Sequence, residues 1–131
     1  MKIINDAALD KFRGPGRCEF CRFHFSSRDP HHVESKGIGG GKHLDIASNL
    51  VSLCRTCHST KADTPEGKDR CIAIIANREK GSPSDIERVH RFILGLDKHA
   101  SVDRIEEGLM GLPGPAQRIA RRELREAGIH G

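Results

Sequence analysis

The sequence predicts an α+β protein in two parts: a small N-terminal module of two short strands and one helix, stapled by cysteines, and a helical C-terminal tail. Three observations predict it. Four of the five cysteines form two C-x-x-C pairs, Cys18/Cys21 and Cys54/Cys57. Around and between these pairs the pattern runs strand, long loop, strand, helix. After residue 63 the chain repeats helix-start signatures, each followed by apolar side chains at helical spacing.

The staple is a matter of size and composition. A chain of 131 residues fits one ordinary domain or a module plus a tail, since closed cores need on the order of 100 residues. Trp and Tyr are absent, and three of the five Phe (Phe20, Phe23 and Phe25) crowd into one short stretch. The N-terminal module therefore has few large side chains from which to build a core. In a reducing compartment, paired C-x-x-C units read as a zinc site of Cys18, Cys21, Cys54 and Cys57 rather than as disulfides. A redox motif gives no reason for a second copy. Cys71 falls on an apolar helix face and reads as a small core residue.

The elements follow in order. Arg13-Gly14-Pro15-Gly16-Arg17 is a Gly/Pro turn that delivers Cys18 to Cys21 as a tight knuckle. The stretch from Arg22 to Val33 is mixed in pattern and contains a short strand ending near His32 or Val33. Residues 37–41, GIGGG, are a loop by composition. Asn49 to Leu53 suits a second strand, and Cys54 to about Ala62 a helix. Thr64-Pro65-Glu66 reads as a helix start, with Thr as cap and Pro at the first helical position; Cys71 to Ala76 supply the apolar face and Gly81 the stop. Ser82-Pro83-Ser84-Asp85 repeats the start, with Ile86, Val89, Ile93 and Leu96 at helical spacing. Ser101 caps a third helix through about Met110, Pro113-Gly114-Pro115 breaks it, and Ala116 to Gly128 form a fourth. The expected division is a module over 1–80, with its core at 17–63, and a helical extension over 81–131.

Charge favours a polyanionic partner only weakly. Residues 1–80 carry 14 Lys and Arg against 10 Asp and Glu, whereas residues 81–131 carry 8 against 8. No segment approaches the roughly 18 apolar residues of a membrane span, and the start MKIINDAALDKF lacks the apolar core of a secretory signal. A soluble, cytoplasmic chain with no membrane partner is expected. The glycine run before Lys42 is not a nucleotide-binding P-loop, because Lys36 stands where the first glycine belongs and His43 where the hydroxyl belongs.

Joined together, CEFC, PHH and NLVSLCRTCH resemble the HNH endonuclease family, in the branch with a zinc-stapled ββα-metal finger found in phage and mobile-element nucleases. The matching residues are Cys18, Cys21, His31, His32, Asn49, Cys54, Cys57 and His58, and the likeness covers roughly residues 17 to 63. It implies a metal-dependent DNA endonuclease. His31 and His58 would be ligands of a catalytic divalent metal and His32 the general base, while Asn49 would bridge the long loop to the finger through backbone hydrogen bonds. The two histidines would then sit where the first strand ends, so that both can turn into one site. Phosphodiester hydrolysis needs such a set: a water nucleophile, a base that titrates near neutrality, and a cation facing the developing charge. Many members carry a further His four residues after the helix ligand, where this chain has Ala62. That leaves two protein ligands, or a borrowed Asp63, and favours Mg²⁺ or Mn²⁺ in the catalytic position beside structural Zn²⁺.

Blander readings stand beside these. His31 and His32 could be a surface pair, or could join Cys18 and Cys21 in a mixed zinc site that strands Cys54 and Cys57. His24, His43, His90, His99 and His130 read as surface or edge residues. Arg28, Lys36, Lys42 and Arg55 are candidate phosphate contacts. Leu109 to Ala120 faintly resembles a helix-hairpin-helix, but Pro115 and Ala116 depart from it, so an ordinary helix break is preferred; Arg118, Arg121, Arg122 and Arg125 remain candidates for DNA backbone. The helical tail could supply a homodimer surface. The rival function is a non-catalytic zinc-finger module that binds nucleic acid, and a third is a zinc-stabilised protein adaptor.

Overall fold

The computed structural model describes residues 1–34 and 43–129 and is α+β, with two small two-stranded sheets and six helices among those residues. The loop 37–41, Lys36, Lys42 and His130 lie outside the described residues.

A short helix α1 (Asp6–Asp10), capped by the Asn5 side chain, precedes the Gly/Pro turn. Strands β1 (Gly16–Arg17) and β2 (His24–Phe25) then pair antiparallel, with Arg17 opposite His24. The first C-x-x-C sits in the hairpin between them. Gly16 has φ +153°, and a Cβ there would strike the Arg28 guanidinium at 2.5 Å. That guanidinium donates to the carbonyls of Arg13, Gly14, Pro15 and Arg17. The turn is thus wrapped around one side chain.

The second sheet carries the site. Strand β3 (Asp29–His32) pairs antiparallel with β4 (Leu50–Leu53), setting His31 opposite Val51 and His32 opposite Leu50. β3 closes at His32, where a strand end was expected, and Pro30 removes one donor from the ladder. All four residues of β4 are buried, so it runs through the core. Helix α2 (Arg55–Thr60) follows directly, with the Cys54 sulfur accepting from the Cys57 N–H at its start.

The capping signatures hold. Thr64 accepts from Gly67 N–H at the start of α3 (Pro65–Glu79). Ser82 and Asp85 form a reciprocal capping box on α4 (Pro83–Gly95). Ser101 caps α5 (Val102–Met110), and α6 (Gly114–Glu126) begins with Pro113 outside it. One detail differs: the left-handed residue ending α3 is Lys80 (φ 58°), one position before the expected Gly81. Gly67 is required by close approach, since a Cβ would fall 1.9 Å from the Lys61 carbonyl oxygen.

A single hydrophobic cluster runs from Ile3 and Phe20 through Leu53, Cys71 and Ile75 to Ile93, Leu109 and Leu124. Within it, α4 packs on α3 and α6, and α6 reaches a 3₁₀ turn at Ala47–Asn49 just before β4. The reach is polar. Ser48 N–H and its hydroxyl both donate to Glu123 Oε2, at 2.7 and 2.6 Å. The expected surface position of His90 is overturned: it is 3% exposed and donates from Nε2 to the Ser48 carbonyl at 2.7 Å. It falls four residues after Ile86, on the stripe already assigned to the core. His24, His43 and His99 are exposed as expected.

Candidate active site and metal centre

The four cysteines converge. Two hairpin residues, Cys18 and Cys21, meet Cys54 at the end of β4 and Cys57 in the first turn of α2, with all four sulfurs within 4.8 Å of one another. Cys21 Sγ and Cys54 Sγ lie 4.0 Å apart, against about 3.8 Å for two sulfurs on a tetrahedral zinc with 2.3 Å bonds. An all-thiol set of this size fits Zn²⁺. Burial opposes ionisation of Cys18, but the N–H groups of Cys21, Cys54 and Phe20 and the Cys21 thiol outweigh it and hold the group down at about 7. Burial and the neighbouring sulfurs push Cys57 the other way, well up. Four thiols packed so tightly cannot all ionise without a cation among them. The mixed site of two cysteines and two histidines is not what forms, because His31 and His32 turn elsewhere.

His31 turns toward α2. Its ring centroid lies 5.2 Å from that of His58, edge to face. Burial, then the neighbouring His58, lowers its pKa against an opposing pull from Asp63, so the imidazole is kept neutral, the form that binds metal. His58 Nδ1 also lies 3.5 Å from Asp29 Oδ2, which accepts a 3.0 Å hydrogen bond from Arg55 Nε. A cleft of about 370 Å³ opens beside His31, lined by Val33, Ala62, Asp63, Thr64, Pro65 and Lys68. Ala62 is 1% exposed, and among the described residues no third His, Cys, Asp or Glu joins the two imidazoles as closely as the cysteines join one another.

His32 turns toward the returning end of the long loop. Its Nε2 lies 2.6 Å from Asp45 Oδ1, and the other Asp45 oxygen accepts from Asn5 N–H at 2.9 Å. A carboxylate accepts, so Nε2 is the donor, and in the neutral ring this arrangement leaves the lone pair on Nδ1. Asp45 is itself pinned: its N–H donates to the Ile3 carbonyl, and Ile3 N–H to the His43 carbonyl. Sequence reasoning missed Asp45 entirely, because it is an isolated acid in a stretch with no periodicity.

Asn49 is fully buried. Its side-chain amide donates to the Glu34 and Leu44 carbonyls and its oxygen accepts from Glu34 N–H. It therefore joins the two ends of the loop, residues 34 and 44, and both of its side-chain N–H groups are spent on that. Of the candidate phosphate contacts, Arg28 is engaged with the four turn carbonyls and Arg55 with Asp29, both on the described surface. Lys36 and Lys42 lie outside the described residues. In the tail, Arg118 donates to the Glu79 and Lys80 carbonyls, Arg121 to Glu106 and Arg122 to Glu79, so three of the four arginines are turned onto the protein.

Residues 18–64 match the family model described as HNH endonuclease. The match spans the cysteines, both paired histidines, Asn49 and His58, the residues on which the family resemblance rests. No curated protein and no solved structure matches the chain. Among the described residues no helix is long and apolar enough to cross a membrane.

Proposed function

We propose that the HNH endonuclease segment at 18–64 makes this chain a metal-dependent DNA endonuclease, with His32 as general base and His31 and His58 as the ligands of a catalytic divalent ion. The observation that carries the reading is the meeting of His31 and His58 at 5.2 Å beside a histidine whose tautomer is set by Asp45.

His32 Nδ1 takes the proton from the attacking water. Asp45, bonded to Nε2–H, holds the ring and stabilises the imidazolium that forms. His31 stays neutral through burial and is available as a donor of its lone pair. His31 and His58 would hold a divalent cation, Mg²⁺ or Mn²⁺ for so sparse a protein sphere, which would supply positive charge toward the phosphorane and the departing 3′ oxygen. Products bear 5′-phosphate and 3′-hydroxyl ends. Cys18, Cys21, Cys54 and Cys57 would hold a structural zinc, which would fix the start of α2 and with it the direction of His58.

The test is cleavage of plasmid by the purified zinc-loaded protein with Mg²⁺ or Mn²⁺. Cleavage is expected for the wild type and lost in His32→Ala with DNA binding retained. A wild type that binds DNA and never cuts under any divalent ion would leave the zinc-finger binding module as the function.

A further inference from the structure

The hairpin that carries Cys18 and Cys21 presents an aromatic side chain to solvent among basic ones. Phe23 is 72% exposed, the largest exposure among the large hydrophobic side chains of the described residues. A lone exposed apolar residue needs no explanation, but here several features coincide. Arg17, Arg22 and His24 around it are all exposed, and Arg17 pairs across the hairpin with His24. Residues 11–28 hold five Lys and Arg and one acid, Glu19. Glu19 faces inward, accepting from Ser52 N–H and lying 3.6 Å from Arg78. Neither Arg17 nor Arg22 has a carboxylate within 4 Å among the described residues.

The hairpin is also stiff. Cys18 N–H donates to the Phe23 carbonyl and Arg22 N–H to the Cys18 carbonyl, both at 2.9 Å, and Arg17 Nη1 donates to the Arg22 carbonyl at 3.0 Å. Arg22 is left-handed, with φ 72°. Glycine suits that conformation best, and a bulky cation there is disfavoured on local grounds. An arginine in a glycine position, next to an outward phenylalanine on a hydrogen-bonded loop, is a local conflict that a ligand would explain.

We infer that this hairpin is a nucleic-acid contact: Phe23 stacks on a base of the bound strand while Arg17 and Arg22 meet the phosphates beside it. Aromatic faces interleaved with cations are what a polyanion carrying planar bases requires. The inference rests on the nucleic-acid partner of the function proposed above, and it assigns a surface outside the His31, His32 and His58 cluster.

The chain contains no Trp, so Phe23→Trp in a His32→Ala background places a single indole at the contact. Titrating the zinc-loaded protein with a short DNA duplex, and separately with a single strand of the same sequence, is expected to quench and shift its fluorescence. By anisotropy, Phe23→Ala is expected to weaken binding roughly 5- to 150-fold with the salt slope unchanged, while Phe23→Trp keeps the affinity. Arg22→Ala is expected to lower the slope of log Kd against log salt by about 0.9. An indole that stays unquenched at saturating DNA, or a Phe23→Ala affinity within twofold of the parent, overturns the inference. Cleavage by the protein with native His32 is scored separately. Quenching without cleavage supports this contact and counts against the endonuclease, whereas cleavage with Phe23→Ala fully competent removes the contact alone.

Discussion

Asp45 sits 2.6 Å from His32 through one oxygen and 2.9 Å from the Asn5 amide through the other, so a single buried carboxylate joins the N-terminal segment to the candidate base. Asp45→Asn tests what that carboxylate does. The amide must offer its oxygen to one of two donors; if Asn5 N–H takes it, the NH₂ faces His32 Nε2 and forces the proton onto Nδ1, the wrong tautomer for a base. The expected outcome is a fall in kcat of about 10² to 10⁴ with DNA affinity unchanged, measured by single-turnover cleavage alongside anisotropy. Cleavage within threefold of wild type would mean that Asp45 does not position the base.

A second prediction concerns the zinc. Zinc binding to a structural thiolate site contributes about 10–16 kcal/mol, as much as the net stability of a whole domain. The hydrophobic cluster is continuous from Cys18 to Leu124, so loss of the knuckle is not confined to the finger. Cys57→Ser is therefore expected to abolish folding, with no cooperative urea transition in circular dichroism and no stoichiometric zinc by metal analysis. A soluble, helical and active Cys57→Ser protein would contradict it.

What was legible in the sequence was local. The cysteine spacing, the Thr64, Ser82 and Ser101 caps and the strand ending at His32 each depend on residues within a few positions of one another, and physical rules for spacing and capping operate at that range. Pairings across the fold were not legible. Asp45 finds His32 across a 13-residue separation and Glu123 finds Ser48 across 75; Asp45 belongs to no periodic pattern, and Glu123, although it falls on the buried stripe of α6 with Ile119 and Ala120, has a partner that spacing along one helix cannot name. His90 is a residue type that favours the surface, but its spacing from Ile86 places it on the buried stripe, and position prevails. The outward turn of Phe23 follows from hairpin geometry, which composition does not encode.

Glu123 carries the third prediction. It is 1% exposed and accepts both donors of Ser48, itself fully buried, beside Arg122 at 3.2 Å. Truncation leaves two buried donors and a cavity, each unsatisfied donor costing about 1–3 kcal/mol. Glu123→Ala is expected to lose roughly 3–5 kcal/mol and Glu123→Gln, which keeps one acceptor oxygen, distinctly less. Urea denaturation of the zinc-loaded proteins measures both. Because Ser48 precedes Asn49, the loop staple, Glu123→Ala is also expected to lower cleavage. A loss below 1 kcal/mol would show that α6 does not hold the 3₁₀ turn in place.

The last prediction is a pH dependence. Burial lowers the pKa of His90, with the Ser48 carbonyl, Glu34 and Glu87 pulling the other way and Lys68 adding to the depression. The unfolded chain, with an ordinary histidine near 6.5, binds the proton more readily than the folded one. Stability from this group is thus complete above about pH 6.5 and falls as pH drops from there toward the depressed folded value, where it levels off. His90→Gln keeps an N–H donor for the Ser48 carbonyl and cannot titrate. Urea midpoints between pH 7.5 and 5.5, with zinc in excess, are expected to fall more steeply in wild type than in His90→Gln, so that the gap between them narrows with acid. Parallel curves over that range would mean that His90 titrates alike in the folded and unfolded chain.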